Sequence, residues 1–266
     1  MTMEDIFDLE KSTAKLAAQK PWWTPGTASG YHSLTMGHLV GEVVRRTTGK
    51  SLTQFIQDEI AGPLHADFQL GVCEADLYRV SDIILFVRPP GNAPLLDPQS
   101  VLFKVRTNPA IDFGVANNAG WRKAEIGAAN GHSNAATVGR ILSTITCGGA
   151  LDGVRLLSAN TIEKIFQEQS QGVDYVTGQP LRMGIGYGLP RTVEAEVERA
   201  GTADDTWIPK GRVCYWGGMG GSLGIIDIDR GVTFSYVMNK MAMAGMGNSR
   251  SIALFRAVYK VLRVDL

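Results

Sequence analysis

The sequence has no surplus of one charge: Lys and Arg together number 26, and so do Asp and Glu, which removes the electrostatic case for nucleic acid or an anionic membrane surface as a partner. Cysteine is scarce. Cys73, Cys147 and Cys214 are odd in number and far apart, fitting neither a disulfide framework nor a paired metal motif, so a reducing, cytoplasmic setting is expected. The N-terminus is charged throughout and lacks the apolar stretch of a signal peptide, and no run approaches membrane-spanning length. The four histidines (His32, His38, His65 and His132) show no ligand spacing, so neither metal nor cofactor is expected. Gly49-Lys50-Ser51 echoes the end of a phosphate-binding loop, but Val44 stands where its first glycine belongs, and the segment reads as a helix C-cap.

What is present is a chain of 266 residues, 44% hydrophobic, enough for a substantial core. Apolar positions at helical spacing predict one helix over residues 5–18, stopped by Lys20-Pro21. Ser33 stands at an N-cap position before a stripe of Leu34, Leu39, Val40, Val43 and Val44, closed by Gly49, and Ser51 caps the next helix. From Gly71 to Asn118 the pattern is irregular and is broken by Arg88-Pro89-Pro90-Gly91-Asn92 and Pro94, as in a functional or mobile segment. Ser133-Asn134 opens a helix ending at Gly148-Gly149, Leu151-Asp152-Gly153-Val154 reads as a tight turn, and Ser158 caps another helix. Strand patterns follow at Val213–Trp216, Leu223–Ile228 and Val232–Met238, the last two joined by Asp229-Arg230-Gly231, before a helix from about Ser249. Helices, then an antiparallel meander, then a covering helix indicate an α/β (segregated α+β) fold, read as one domain over 1–266 with a helical part to about 182 and the sheet with its C-terminal helix from about 183 to 266.

Four stretches carry candidate chemistry. Pro21 to Ser33, with two tryptophans, two prolines and two glycines, builds a rigid turn that delivers Tyr31 to the start of a helix. Ser12-Thr13-Ala14-Lys15 sets a hydroxyl and an amine one helical turn apart, where the lysine eases deprotonation of the serine; the default is a solvated helix surface. Gly220-Gly221-Ser222-Leu223-Gly224 has the letters of a nucleophile elbow, but a strand follows it and every histidine precedes it, so it reads as an inter-strand turn. Trp216-Gly217-Gly218-Met219 ends a strand with bare glycines, and reads equally as an oxyanion-binding wall or as an aromatic plug beside a turn.

Taken together, Pro25-Gly26-Thr27, Tyr31-His32-Ser33, Gly131-His132-Ser133-Asn134-Ala135, Leu151 to Ser158, Gly184 to Leu189 and Trp216-Gly217-Gly218 resemble the serine β-lactamase-related superfamily, in its family VIII carboxylesterase branch similar to class C β-lactamases. The resemblance implies a β-lactamase/transpeptidase-like fold. It also implies acyl transfer by a serine of Ser-x-x-Lys, with Tyr31 and Ser33 as the second motif and Tyr31 needing a lysine partner to act as a base. Trp216-Gly217-Gly218 stands where penicillin-recognising members carry Lys-Thr-Gly, so Trp216, Gly217 and Gly218, with Ser33, are expected to bind the substrate, the Met219 N–H to be an oxyanion donor, and small neutral esters or amides to be the substrates. The stretch from Gly71 to Asn118 would shape the acyl pocket. In the family, Ser-x-x-Lys lies far upstream of the tyrosine, whereas Ser12 precedes Tyr31 by 31 − 12 = 19 residues. The chain is therefore expected to begin after the nucleophile, to have weak or absent activity if whole as given, and to expose the edge of the Val232 strand, favouring a homo-oligomer or leaving the protein poorly stable. The alternative is a non-catalytic homologue acting as a binding or partner subunit.

Overall fold

The computed structural model describes residues 1–87, 96–191, 207–242 and 246–264. The predicted break at Arg88 to Pro94 lies outside the described residues. The chain gathers into two compact units: Met1–Asn134 with Tyr175–Thr177, and Ala135–Asp174 with Gly178–Leu266.

In the first unit the single predicted helix over 5–18 is two, α1 (Met3–Ile6) and α2 (Leu9–Ala18), because Asp8 leaves the helix to accept from the Lys11 N–H and cap the second. α3 runs Thr35–Thr48 and ends on Gly49 in the left-handed conformation. Its N-cap is Leu34 with no side-chain cap bond, so the Ser33 cap expected from sequence does not form. The expected apolar stripe is also turned outward: Leu39, Val40 and Val43 are 40–60% exposed. The buried face is instead Gly37, His38 and Gly41. A Cβ at Gly37 would run into the Ala128 backbone, so only a bare helix face sits this close to residues 127–128.

α4 (Leu52–Ile56) is capped by Ser51 in a capping box with Gln54 and continues as a π-turn, Gln57–Ala61. Its first N–H groups, Leu52 and Thr53, also donate to the Glu125 carboxylate, a negative charge at the positive end of the helix. β1 (Gln69–Leu70) pairs antiparallel with β2 (Gly131–His132). The stretch between them, irregular by sequence, holds two 3-10 turns (Glu74–Arg79 and Phe113–Asn117), α5 (Val101–Thr107, capped by Ser100) and α6 (Ala119–Lys123). Ile6, Trp121 and Ile126 form the core of this unit.

The second unit starts with α7 (Ala135–Thr146), then the hairpin β3 (Ala150–Leu151) and β4 (Val154–Arg155), then α8 (Ala159–Ile165). Asp152 and Gly153 both take positive φ at that hairpin, as a two-residue turn of this type requires. β5 (Ser170–Val173) and β6 (Pro180–Met183) form a second hairpin. β7 (Val213–Gly217), β8 (Leu223–Asp227) and β9 (Val232–Tyr236) form an antiparallel meander, and α9 (Ser249–Val261) closes the chain.

Alternation along the meander sorts its side chains. Val213, Tyr215, Leu223 and Ile225 meet Phe255 and Tyr259 of α9, whereas Cys214 and Ile226 meet Ile145 of α7 and Ile162 of α8. Glycines let α7 approach: Gly224 lies under Leu142, and Gly139 under Ser235. Thus α7 and α8, read from chain order as part of the helical region, belong with the sheet. The Gly188 backbone bridges Tyr215 on the outer side of β7, while the outer edge of β9 has no strand beside it among the described residues.

Candidate functional site

In the first unit, the Pro21–Ser33 stretch is a pinned turn. The Trp23 indole N–H donates to the Ala28 carbonyl at 3.0 Å, and the Thr27 N–H closes back on the Thr24 carbonyl across Gly26, whose φ is +84°. Trp23 also packs edge-on to Tyr175 at 5.2 Å, and the Tyr175 N–H donates to the Ser29 carbonyl. Gly30 passes directly beneath the Trp23 ring, where a Cβ would overlap it. Tyr31 leaves this turn half-buried, and His32 bonds Thr35 at 2.9 Å in the first turn of α3.

Tyr31 lines a cleft of about 600 Å³ within this unit. Ser33 lines it too, and so do Lys15, Lys20 and Lys104, so three lysines and Tyr31 line one cleft. Trp22, 43% exposed, forms part of the wall and carries the Lys104 ammonium 5.6 Å from its ring centre. Sequence reasoning missed Lys20 and Lys104. For Lys104 a signal exists: Val101, Lys104, Val105 and Asn108 recur at i, i+3, i+4 and i+7, the period of one helix face, and all four line the cleft.

Ser12 and Lys15 do not meet. Ser12 is fully buried, not on a solvated helix surface, and its hydroxyl donates to the Asp5 carbonyl at 2.5 Å. The Lys15 ammonium donates to the Asp5 carboxylate at 2.5 Å. That bond, with the Thr2 N–H, holds the Asp5 carboxyl down at about 2. The serine and the lysine of Ser-x-x-Lys are thus spent on one aspartate, joining α1 to α2. His38, also buried, bonds the Ile6 and Leu34 carbonyls in the same joint.

In the second unit, Trp216 pairs with Gly224 across β7 and β8 and is half-buried. Gly217 ends β7, and the chain then turns over Gly218–Gly221: the Gly218 N–H donates to the Ser222 carbonyl, and the Gly221 N–H to the Gly218 carbonyl. The Met219 N–H takes no part in those turn bonds, and its side chain is 55% exposed. Ser222 accepts from the Met238 N–H and opens β8, so no strand-to-helix elbow exists here. Gly221 has a φ of +110°, and the Asn248 side chain crosses it to donate to the Gly220 carbonyl and to cap α9. Among the described residues no group of three or more His, Cys, Asp or Glu is placed to hold a metal, and no helix is long and apolar enough to cross a membrane.

The Beta-lactamase family profile matches residues 2–258. The chain belongs to the beta-lactamase family. Among relatives, the esterase/beta-lactamase LipL of Mycobacterium tuberculosis strain H37Rv is 31% identical over 251 residues, which cover 90% of this chain and 54% of LipL. The crystal structure of a family VIII carboxylesterase superposes with a TM-score of 0.84 at 30% identity, over 97% of this chain and 65% of that one. A penicillin-binding protein homologue from Caulobacter crescentus gives 0.79 at 30% identity, over 96% and 64%. This member of the beta-lactamase family thus has the β-lactamase/transpeptidase-like fold and spans about half the length of LipL.

Proposed function

We propose that the protein is of the β-lactamase/esterase type, acting on, or descended from enzymes acting on, small neutral esters or amides by acyl transfer, with Tyr31 as the base that serves a Ser-x-x-Lys nucleophile other than Ser12. The observation that carries the reading is the pinned turn, which places Tyr31 in the lining of a cleft that Lys15, Lys20 and Lys104 also line. The named esterases among its relatives support the substrate class. In the sheet, Trp216, Gly217 and Gly218 contact substrate, and Trp216 offers an apolar wall where a lysine would hold a carboxylate. The Met219 N–H, unused by its turn, is the oxyanion donor. The test is hydrolysis of p-nitrophenyl butyrate: Tyr31→Phe is expected to lower kcat by about 10²-fold or more. Full activity in that variant removes Tyr31 from the role. Ser12→Ala is expected to leave turnover unchanged, because its hydroxyl is buried on the Asp5 carbonyl.

A second reading, a non-catalytic binding or partner subunit, is favoured by one observation: the Ser-x-x-Lys pair is committed to Asp5. A folded circular-dichroism spectrum without labelling by a fluorophosphonate probe would support it over the first. A cytoplasmic setting is supported by three free thiols. Self-association is supported by the outer edge of β9, which carries neither charge nor proline, and by Leu254, Val258 and Val261 of α9, 38–82% exposed. A stable dilute monomer on size-exclusion chromatography would count against it.

A further inference from the structure

The lining of the Tyr31 cleft contains three lysines and no aspartate or glutamate. Lys15 is neutralised by Asp5 at 2.5 Å. Lys20 and Lys104 make no ion pair among the described residues, so their charges stand uncompensated beside the cleft. Lys104 is steadied by the Trp22 ring, and an aromatic face holds a cation in place without cancelling its charge. The lining also includes the apolar side chains of Trp22, Val105 and Ile111. A volume of about 600 Å³ suits a small molecule.

From this arrangement we infer that the Tyr31 cleft binds monocarboxylates with an apolar body, the head group on Lys20 and Lys104 and the body against Trp22, Val105 and Ile111. The inference rests on the cleft being the ligand site of the proposed function, and it names what that site retains. Hydrolysis of a neutral ester consumes one water, breaks the acyl–oxygen bond and yields an alcohol and a carboxylic acid. The acid gives its proton to solvent at neutral pH, because an unperturbed carboxyl titrates near pH 4. A neutral substrate thereby becomes an anion of the kind these lysines attract, and the cleft is a product site whose occupancy slows turnover.

The experiment is calorimetric titration of the full chain with 4-phenylbutyrate, 4-phenyl-1-butanol and phenylbutyl phosphate, at low and at moderate salt. The carboxylate is expected to bind about ten-fold more tightly than the alcohol, and less tightly as salt rises. Lys20→Met and Lys104→Met should each weaken carboxylate binding by about two- to five-fold and leave the alcohol unaffected, while Lys104→Arg retains it. Lys260→Met on α9 serves as the control with no effect. Equal binding of acid and alcohol, unchanged affinity in both methionine variants, absence of binding, or a clear preference for the phosphate overturns the inference. No turnover is needed for this measurement. If binding fails while ester hydrolysis keeps its dependence on Tyr31, only this inference falls; if binding holds while hydrolysis is absent, the hydrolase reading falls instead.

Discussion

Replacing Tyr259 with phenylalanine removes a single oxygen from a fully enclosed polar site, which makes its cost calculable. The Tyr259 hydroxyl donates to Asp227 at 2.8 Å, and neither residue has any exposed surface. Asp227 is otherwise held by the Arg230 guanidinium at 2.9 Å and the Arg230 N–H at 3.1 Å. A phenylalanine keeps the ring contact with Phe255, whose centroid lies 4.4 Å away, so the loss is confined to one donor to a buried carboxylate. A hydrogen bond to a charged group is worth about 1.5–3 kcal/mol, and here no water can replace it. For a chain of this size about 2 kcal/mol lowers the unfolding midpoint by roughly 4–8 °C. Urea unfolding followed by circular dichroism and tryptophan fluorescence measures it directly. Arg230→Met, removing a partner that is 31% exposed at its side chain, should cost less because solvent screens that charge. A Tyr259→Phe protein within about 0.5 kcal/mol of the parent would refute the reasoning, since that is the range of an indifferent surface change.

Three further outcomes follow from sites already described. Ellman's reagent should modify the exposed Cys73 and Cys147 in the folded protein and leave Cys214, whose thiol burial pushes up to about 12; prompt reaction of all three would contradict its place under α7. Gly221→Ala forces a side chain into a left-handed position already crossed by the Asn248 amide, so a loss of about 2 kcal/mol or more is expected in thermal unfolding, and an unchanged midpoint would refute it. The Lys15 hydrogen bond lowers the Asp5 carboxyl from 3.8 to about 2 on folding, so its stabilising contribution is complete above about pH 4 and is lost as pH falls toward 2. Lys15→Met should flatten that part of the acid-unfolding curve, and superimposable curves would exclude the link.

Helix starts are legible in the sequence where a short polar side chain marks its own position: Ser51 and Ser158 both cap, and Asp152-Gly153 turns a hairpin, although Ser33 does not cap α3. The break at Asp8 is hidden, because apolar spacing continues across a joint made by hydrogen bonds to Asp5. Periodicity shows which side of α3 is apolar but not which side is covered, and contact there is decided by how closely Gly37 lets the backbone of residues 127–128 approach. The same holds for α7, whose place against the sheet depends on Gly139 and Gly224 rather than on chain order. Family motifs single out Tyr31 and Trp216 as candidates, whereas the commitment of Ser12 and Lys15 to Asp5 depends on a carboxylate no spacing rule connects to them.

The turn that carries Tyr31 is completed by residues made much later. Tyr175–Thr177, the link between β5 and β6, groups with the first unit, where Tyr175 supplies a backbone bond to Ser29 and a ring against Trp23. A ribosome must therefore pass the whole of α7 and α8 before the segment around Tyr31 has its last support. The N-terminal unit is not a self-sufficient module of vectorial synthesis, and a gene fragment ending at Asn134 would encode its helices without the clasp that shapes its cleft.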